Sequence, residues 1–330
     1  MRFGPVSLDQ AEGAILAHSE HVADGRLRKG IVLGSEQIAA LRAAGYAAVT
    51  VARLDAGDLH EDDAARMLAE AVHDDASGIA RSPAFTGRVN LTAERPGVVC
   101  IDAGAINAAN AVHPMITVAT VPDHHQIRAG GMMATVKIIA YGVPEVAVRQ
   151  AAKAARGALR LAVAQYRTAS LIITDTQGGP GDKGSDAIAA RVTGLGMEMV
   201  GTVICAHDTD ALARAIVAAT GAIVLILTGS ATSDPQDTAP QALREAGGQV
   251  IRFGMPVDPG NLLFLGQLSD RPVIGLPGSA RSPVLHGADW VLARVACGLP
   301  CGADVIAGMG VGGLLKEIPS RPQPRRATHR

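Results

Sequence analysis

Aromatic side chains are nearly missing from this chain, with one tryptophan, three tyrosines and four phenylalanines in 330 residues. Proteins that hold single-stranded nucleic acid stack its bases on aromatic rings, so the scarcity argues against that class. Blocks of basic residues are absent before the C-terminal tail and the formal net charge is −1, which removes the electrostatic footprint of a DNA binder as well. Cysteine is sparse too. The four present, Cys100, Cys205, Cys297 and Cys301, show no CxxC pairing, which fits a reducing compartment and carries no zinc signal. Cys297 and Cys301 stand four apart in a helical pattern and read as two small core residues on one helix face. No stretch approaches the ~20 apolar residues of a membrane span. The N-terminal MRFGPVSLDQAEGAILAH has neither the apolar run nor the cleavage site of a secretory signal. The expectation is a cytoplasmic protein without a membrane or nucleic-acid partner.

Apolar residues make up 48% of the chain, so the core is built from Ala, Val, Leu and Ile. The length suggests two domains with room for a third. Residues 1–75 read as an α+β region. Ser7 and Gln10 form a capping-box pair before a short helix, a strand follows at Ile31–Leu33, and Ser35 caps a helix over Glu36–Ala44. Gly45 stops that helix before a strand at Ala47–Ala52. An acidic helix over 56–75 crowds Asp58, Glu61, Asp62 and Asp63 into its first turns, where negative charge suits the helix dipole. A metal role for Asp58, His60 and Glu61 is the sharper but weaker alternative.

Residues 76–145 are β-rich, with short strands at Ala84–Leu91, Val98–Asp102, Met115–Val121 and Ala134–Ile139. Between and within them lie the polar stretches TGRVN, NAANAVHP and DHH. Pro144 marks a boundary, and a helix over Glu145–Val163 bridges to a region of different rhythm. From Thr168 strands and helices alternate with short connections, the signature of a mostly parallel sheet with helices on both faces. The Pro- and Arg-rich tail 319–330 reads as disordered.

Three loops of this second region follow apolar strands and precede helices. Asp175–Asp186 is glycine-rich, so Gly178 and Gly179 let a ligand approach the backbone, and Ser185 or Asp186 is placed to cap the next helix. Its spacing is neither that of a Walker A motif nor that of a dinucleotide-binding fingerprint. Thr228–Asp237 follows the aliphatic run AIVLIL, as expected of a strand buried on both faces. Gly275–Pro283 is the third, preceded by the turn Asp258-Pro259-Gly260-Asn261. If the strands are parallel, all three loops emerge at one sheet edge. There they bring backbone N–H groups, hydroxyls, carboxylates and Arg281, a set suited to a phosphorylated polar ligand with a divalent metal.

The series TGSATSDPQD, GMPVDPGNLLFLG and PVIGLPGSARSP resembles the molybdopterin-binding domain shared by molybdopterin adenylyltransferases and molybdopterin molybdotransferases, the molybdenum insertases. Its order and spacing look most like the insertases. The upstream stretch from AEGAILAHS to AAVTVARL is loosely similar to theirs, so the resemblance covers 168–315 well, 8–55 loosely and 56–165 hardly at all. It implies a three-layer α-β-α molybdopterin-binding domain over 146–318, homo-oligomerisation, and a role in molybdenum cofactor biosynthesis alongside other enzymes of that process. Carried over by residue, Thr228, Gly229, Ser230 and Ser233 would hold the terminal phosphate or pterin, with Pro277, Gly278 and Ser279 as the opposite wall. Asp234 and Asp237 would bind Mg²⁺ and act catalytically in a transferase, with molybdate as a further ligand. Departures fall at Asp258 and Asn261, where lysine is usual, and at Ser279 and Ala280, with Arg281 nearby to restore the missing positive charge. Two other readings stand beside this one: a non-catalytic carrier, chaperone or sensor of molybdopterin, and a nucleotide-pyrophosphate hydrolase of the competence-damage-inducible type.

Overall fold

A computed structural model describes residues 1–74 and 77–315, and the expected disordered tail lies outside that range. The chain divides into two compact units. One comprises Met1–Glu94, Val99–His125 and Ala129–Leu161, and the other Arg95–Val98, Gln126–Arg128 and the chain from Ala162 onward.

The first unit is α+β. Strands Arg2–Ser7, Ala48–Arg53 and Ile15–Leu16 form an antiparallel sheet. The helix Ser35–Ala43 packs Ile38 and Leu41 into a cluster with Leu16, Leu33, Val49 and Val51. The helix expected after Ser7 is only a 3-10 turn, Leu8–Gln10, because the preceding residues are committed to a strand. The strand expected at Ile31–Leu33 reduces to one bridge between Ile15 and Val32, and Ser35 is the first helical residue after a Gly34 cap. A four-stranded sheet follows, in the order Ile116–Thr120, Met132–Ile138, Arg88–Ala93, Ile79–Arg81. The stretch NAANAVHP is not a loop at its start. It continues the helix Ala103–Asn110, whose cap Asp102 accepts the Ala105 N–H at 2.9 Å. The helix starting at Glu145 stops at Ala154, and a strand, Leu159–Ala162, replaces its expected second half.

The acidic helix starts later than its charges suggest. Asp58–His60 is a strand, and the helix runs Glu61–Val72. Nor is its start simply solvated, since Glu61 is buried and Asp62 accepts the Gly87 N–H at 2.6 Å. Burial pushes the Glu61 carboxyl up, and Lys137, 3.8 Å away, only partly offsets this. A carboxyl raised in the native state favours folding fully below its unfolded pKa, and the benefit is lost as pH rises through the native value. Glu61→Gln is therefore expected to raise the melting temperature at pH 8 and to leave it unchanged at pH 4. Thermal scans at the two pH values check this.

The second unit carries the six-stranded sheet. Its strands are β1 (Thr168–Asp175), β2 (Glu198–Ala206), β3 (Ile223–Leu227), β4 (Gln249–Phe253), β5 (Phe264–Leu268) and β6 (Arg271–Leu276). Its helices are α1 (Ser185–Thr193), α2 (Thr209–Ala218), α3 (Thr238–Glu245) and α4 (Gly287–Ala296). The order is β2-β1-β3-β6-β5-β4, parallel from β2 through β6, with β5 antiparallel to both neighbours. Ile223–Leu227 is buried throughout, as a strand covered on both faces requires. Alternation along the strands sends Ile172, Val224, Ile226 and Val273 to the side of α2 and α3, where Leu212, Ile216 and Leu243 meet them. The helices α1 and α4 cover the opposite face. Cys297 ends α4 and Cys301 lies beyond it, so the two do not share a helix face, and no disulfide joins the four cysteines. Burial pushes the Cys301 thiol up to about 11, which leaves it protonated and unreactive. Among the described residues no helix is long and apolar enough to cross a membrane.

Candidate functional site

The chain leaves β1 toward one edge of the sheet, through α1 to β2, and leaves β3 toward the other, through α3 to β4. The loops after β1 and β3 therefore diverge, opening a crevice outside the carboxyl ends of two adjacent parallel strands. This is the place where open α/β sheets bind ligands. The loop after β6, which is parallel to β3, emerges at the same edge.

Arg281 ties the three loops together. Its Nη1 donates to the carbonyl oxygens of Lys183 and, at 3.4 Å, Gly181 in the first loop, and its Nη2 donates to that of Thr228 at 3.1 Å in the second. Partial burial lowers its pKa, and the nearby Asp175 carboxylate works against that. The sequence placed Arg281 as a ligand-facing cation. Its bonds instead run to loop carbonyls, so it acts as a strut. Gly184 makes this contact possible. It caps α1 at φ +94°, and an added Cβ would come within 2.6 Å of the Arg281 Cβ. Because Gly184 fills the capping position, neither Ser185 nor Asp186 caps the helix, and both sit in its first turn.

The Thr228–Asp237 loop is fixed from inside. Buried Thr228 donates its hydroxyl to the Ser230 carbonyl at 2.6 Å, so that hydroxyl braces the loop rather than facing a ligand. The Gly229 N–H donates to the hydroxyl of buried Thr174 at 3.0 Å, and that hydroxyl also meets His207 Nδ1 at 2.7 Å. An added Cβ on Gly229 would lie 2.6 Å from the Thr174 carbonyl oxygen, a backbone atom that cannot swing away. At Gly278, also on the crevice edge, nothing stands within 4 Å. Gly229→Ala is expected to cost about 1–3 kcal/mol of stability, the usual range for overpacking, and Gly278→Ala to leave stability unchanged. Urea titration of the two variants checks it.

Ser230, Ser233 and Asp234 are exposed. Asp234 accepts the Gln236 N–H at 2.7 Å. Asp237 caps α3, accepting the Thr238 N–H at 2.7 Å on one oxygen and the Ser233 N–H at 3.0 Å on the other. Both carboxylates thus shape the loop. No group of three or more His, Cys, Asp or Glu side chains suited to a metal occurs among the described residues. The donor set does not fit a resident Mg²⁺ site. Gly178 and Gly179 form an exposed turn, closed by the Gly179 N–H on the Thr176 carbonyl at 2.7 Å.

The third wall is wired in a specific sense. Buried His286 accepts the Ala288 N–H on Nδ1 at 3.0 Å, so its proton sits on Nε2 and is donated to Ser279 Oγ at 2.8 Å. The Ser279 hydroxyl then points its own proton outward. The pair resembles a serine–base dyad, yet the imidazole cannot take the serine proton without losing its cap bond, so exposed Ser279 is a prepared hydrogen-bond donor. Pro277 is buried beneath it. Behind this wall Arg191 of α1 pairs with Asp289 of α4 at 2.6 Å. It also donates to the carbonyls of Ala187, Ala280, Ser282 and Val284. Burial raises the Asp289 carboxyl and Arg191 opposes the rise. Thr174, His207, Arg191 and His286 were not singled out from sequence. Only His207, directly after an apolar strand at the ligand edge, carried a local signal.

Residues 169–294 match the family described as a probable molybdopterin binding domain, and residues 5–53 match a domain of unknown function. Among solved structures, the molybdopterin biosynthesis MoeA protein from Pyrococcus horikosii aligns with 84% of this chain and 70% of its own. The identity is 14% and the TM-score 0.27. No curated protein matches the chain.

Proposed function

We propose, on the match of residues 169–294 to the family described as a probable molybdopterin binding domain, that this protein binds molybdopterin in the crevice between the loops after β1, β3 and β6 and serves molybdenum cofactor biosynthesis. The observation that carries the reading is the Arg281 strut. It fixes two diverging loops to the third at the switch point, next to the exposed hydroxyls of Ser230 and Ser233 and the outward Ser279 proton. Donors without a strong general base suit an anionic ligand held by its phosphate, and prepared donors hold it without reorganising. The reactions this site would serve are metal insertion or the processing of adenylylated molybdopterin. Any Mg²⁺ the reaction uses would enter with the ligand's phosphates rather than reside in the free protein.

The engagement of Asp234 and Asp237 by their own loop favours a second reading, a carrier without turnover. Co-expression with an active cofactor pathway, followed by mass spectrometry of the purified protein, is expected to show bound pterin, reduced several-fold in Ser279→Ala. Absence of pterin, with no binding on titration, would sink the proposal. Cofactor formation that survives Asp234→Asn and Asp237→Asn together in a deletion strain selects the carrier. Cleavage of ADP-ribose with Mg²⁺ and without pterin selects the hydrolase reading instead.

A further inference from the structure

The stretch TGRVN forms a hairpin tip in the first unit that the crevice reading does not use. Phe85 and Arg88 each donate an N–H to the other's carbonyl at 3.1 Å, and the two residues between them, Thr86 at φ +49° and Gly87 at φ +69°, both have positive φ. That is a type I′ turn, whose first central position favours Asn, Asp or Gly. A β-branched threonine is strained there, and such strain persists only where the surroundings enforce it. Here they do. Lys137 donates to the Thr86 carbonyl, Asp62 accepts the Gly87 N–H at 2.6 Å, and a Cβ added at Gly87 would lie 2.7 Å from Glu61 Oε2.

The strands behind the turn build a face of donors. Arg88–Ala93 and Met132–Ile138 pair with Arg88 opposite Lys137 and Asn90 opposite Thr135. The alternate residues Val89, Leu91, Val136 and Ile138 are buried, so Arg88, Asn90, Thr135 and Lys137 share the other face. Two cations directly opposite each other on a sheet repel. Lys137 is offset only by Glu61 at 3.8 Å, a carboxyl whose charge burial disfavours, and Arg88 pairs with no carboxylate among the described residues. Arg88 Nη1 reaches instead to the Thr135 hydroxyl at 3.5 Å, and that hydroxyl donates to Asn90 Oδ1 at 3.0 Å. With its oxygen so engaged, Asn90 has its amide N–H groups unpartnered among the described residues. Thr86 adds an exposed hydroxyl at the tip. We propose that Thr86, Arg88, Asn90 and Lys137 form a phosphate-binding site in the first unit, taking inorganic phosphate or a phosphate ester. A guanidinium fork, an ammonium, an amide and a hydroxyl match the three terminal oxygens of a phosphate, where a carboxylate has only two. An anion between Arg88 and Lys137 would also end their repulsion, and the turn would hold the Thr86 hydroxyl in place for it.

Titration with inorganic phosphate and with glycerol phosphate at constant ionic strength, followed by amide NMR, is expected to shift the Gly87 N–H and the Asn90 side-chain amide, and the tighter of the two identifies the source. Arg88→Met and Asn90→Ala should each weaken binding roughly tenfold with an unchanged melting temperature. Thr86→Gly relieves the turn and removes the hydroxyl. It should melt at or above the wild-type temperature yet bind phosphate more weakly, a combination that a purely structural threonine does not give. Shifts confined to Gly229 and Gly181 would place the phosphate in the crevice of the second unit and overturn the proposal, as would an Arg88→Met variant that titrates like wild type. These signals are read without pterin, so the site stands or falls separately from the ligand reading.

Discussion

Arg191→Met is expected to destabilise the second unit by about 3–5 kcal/mol, the usual cost of removing one member of a buried ion pair. For a unit of this size that lowers the melting temperature by on the order of 10 °C. The side chains of Arg191 and Asp289 are 8% and 12% exposed, so water does not replace the lost guanidinium. The substitution strands a carboxylate that keeps only the His286 N–H at 2.7 Å, and it strips four loop and helix carbonyls of their donor. Burial already raises the Asp289 carboxyl, and Arg191 is the main force holding it down. Without Arg191 the native pKa rises further above the unfolded value. The stabilising contribution of the neutral form is then complete at low pH and lost as pH rises through that native value. The variant should therefore lie closest to wild type near pH 5 and fall away toward pH 8. Replacing both partners, Arg191→Met with Asp289→Leu, should recover much of the loss, because no unpaired charge remains. A variant as stable as wild type at pH 8 would show that the pair contributes little.

The difference between what was legible in sequence and what was not has a physical basis. Strands β1, β3 and β6 announce themselves as aliphatic runs. Strand β5 does not announce itself, because Gly266 interrupts its short apolar run. The glycine is required there, since an added Cβ would lie 2.4 Å from a Leu243 methyl and 2.5 Å from the Gln249 carbonyl oxygen. Gly275 of β6, which pairs with Phe264, is needed for the same reason, since an added Cβ would lie 1.9 Å from the Phe264 ring. The three loops were legible as a set because each is a local strand–loop–helix joint. The struts beneath them were not. Arg191 and Asp289 are 98 residues apart and Arg281 and Lys183 are also 98 apart, and no local pattern links residues so distant. Hydroxyls were likewise assigned by type alone. Thr228 and Ser279 look equivalent in sequence, yet one bonds inward to its own loop and the other is turned outward by a histidine seven residues away.

Arg281→Met is expected to weaken pterin binding by roughly 10–100-fold, while the sheet stays folded, because the residue acts by holding the empty site in its binding shape. The guanidinium reaches Thr228 in one loop and Gly181 and Lys183 in another, a fork that no single-point donor reproduces. Once it is removed, the freed carbonyls reach water, so the stability loss is modest. The larger consequence is that two loops must be ordered at the moment of binding. Ordering side chains and loops costs about 0.5–1.5 kcal/mol per immobilised group, and 1.4 kcal/mol is tenfold in affinity. Arg281→Lys should not rescue binding, since an ammonium cannot span both loops with fixed geometry. Gly184→Ala provides a second route to the same defect. Its Cβ would displace the Arg281 stem, and φ +94° is strained for alanine, so its affinity should fall alongside that of Arg281→Met. The mechanism has its own readout. Amide hydrogen exchange at Gly229 and Gly181, whose N–H groups bond to Thr174 and Asp175, should speed up in both variants before any ligand is added. Unchanged exchange together with reduced affinity would mean that Arg281 meets the ligand directly, and unchanged affinity would remove it from the site.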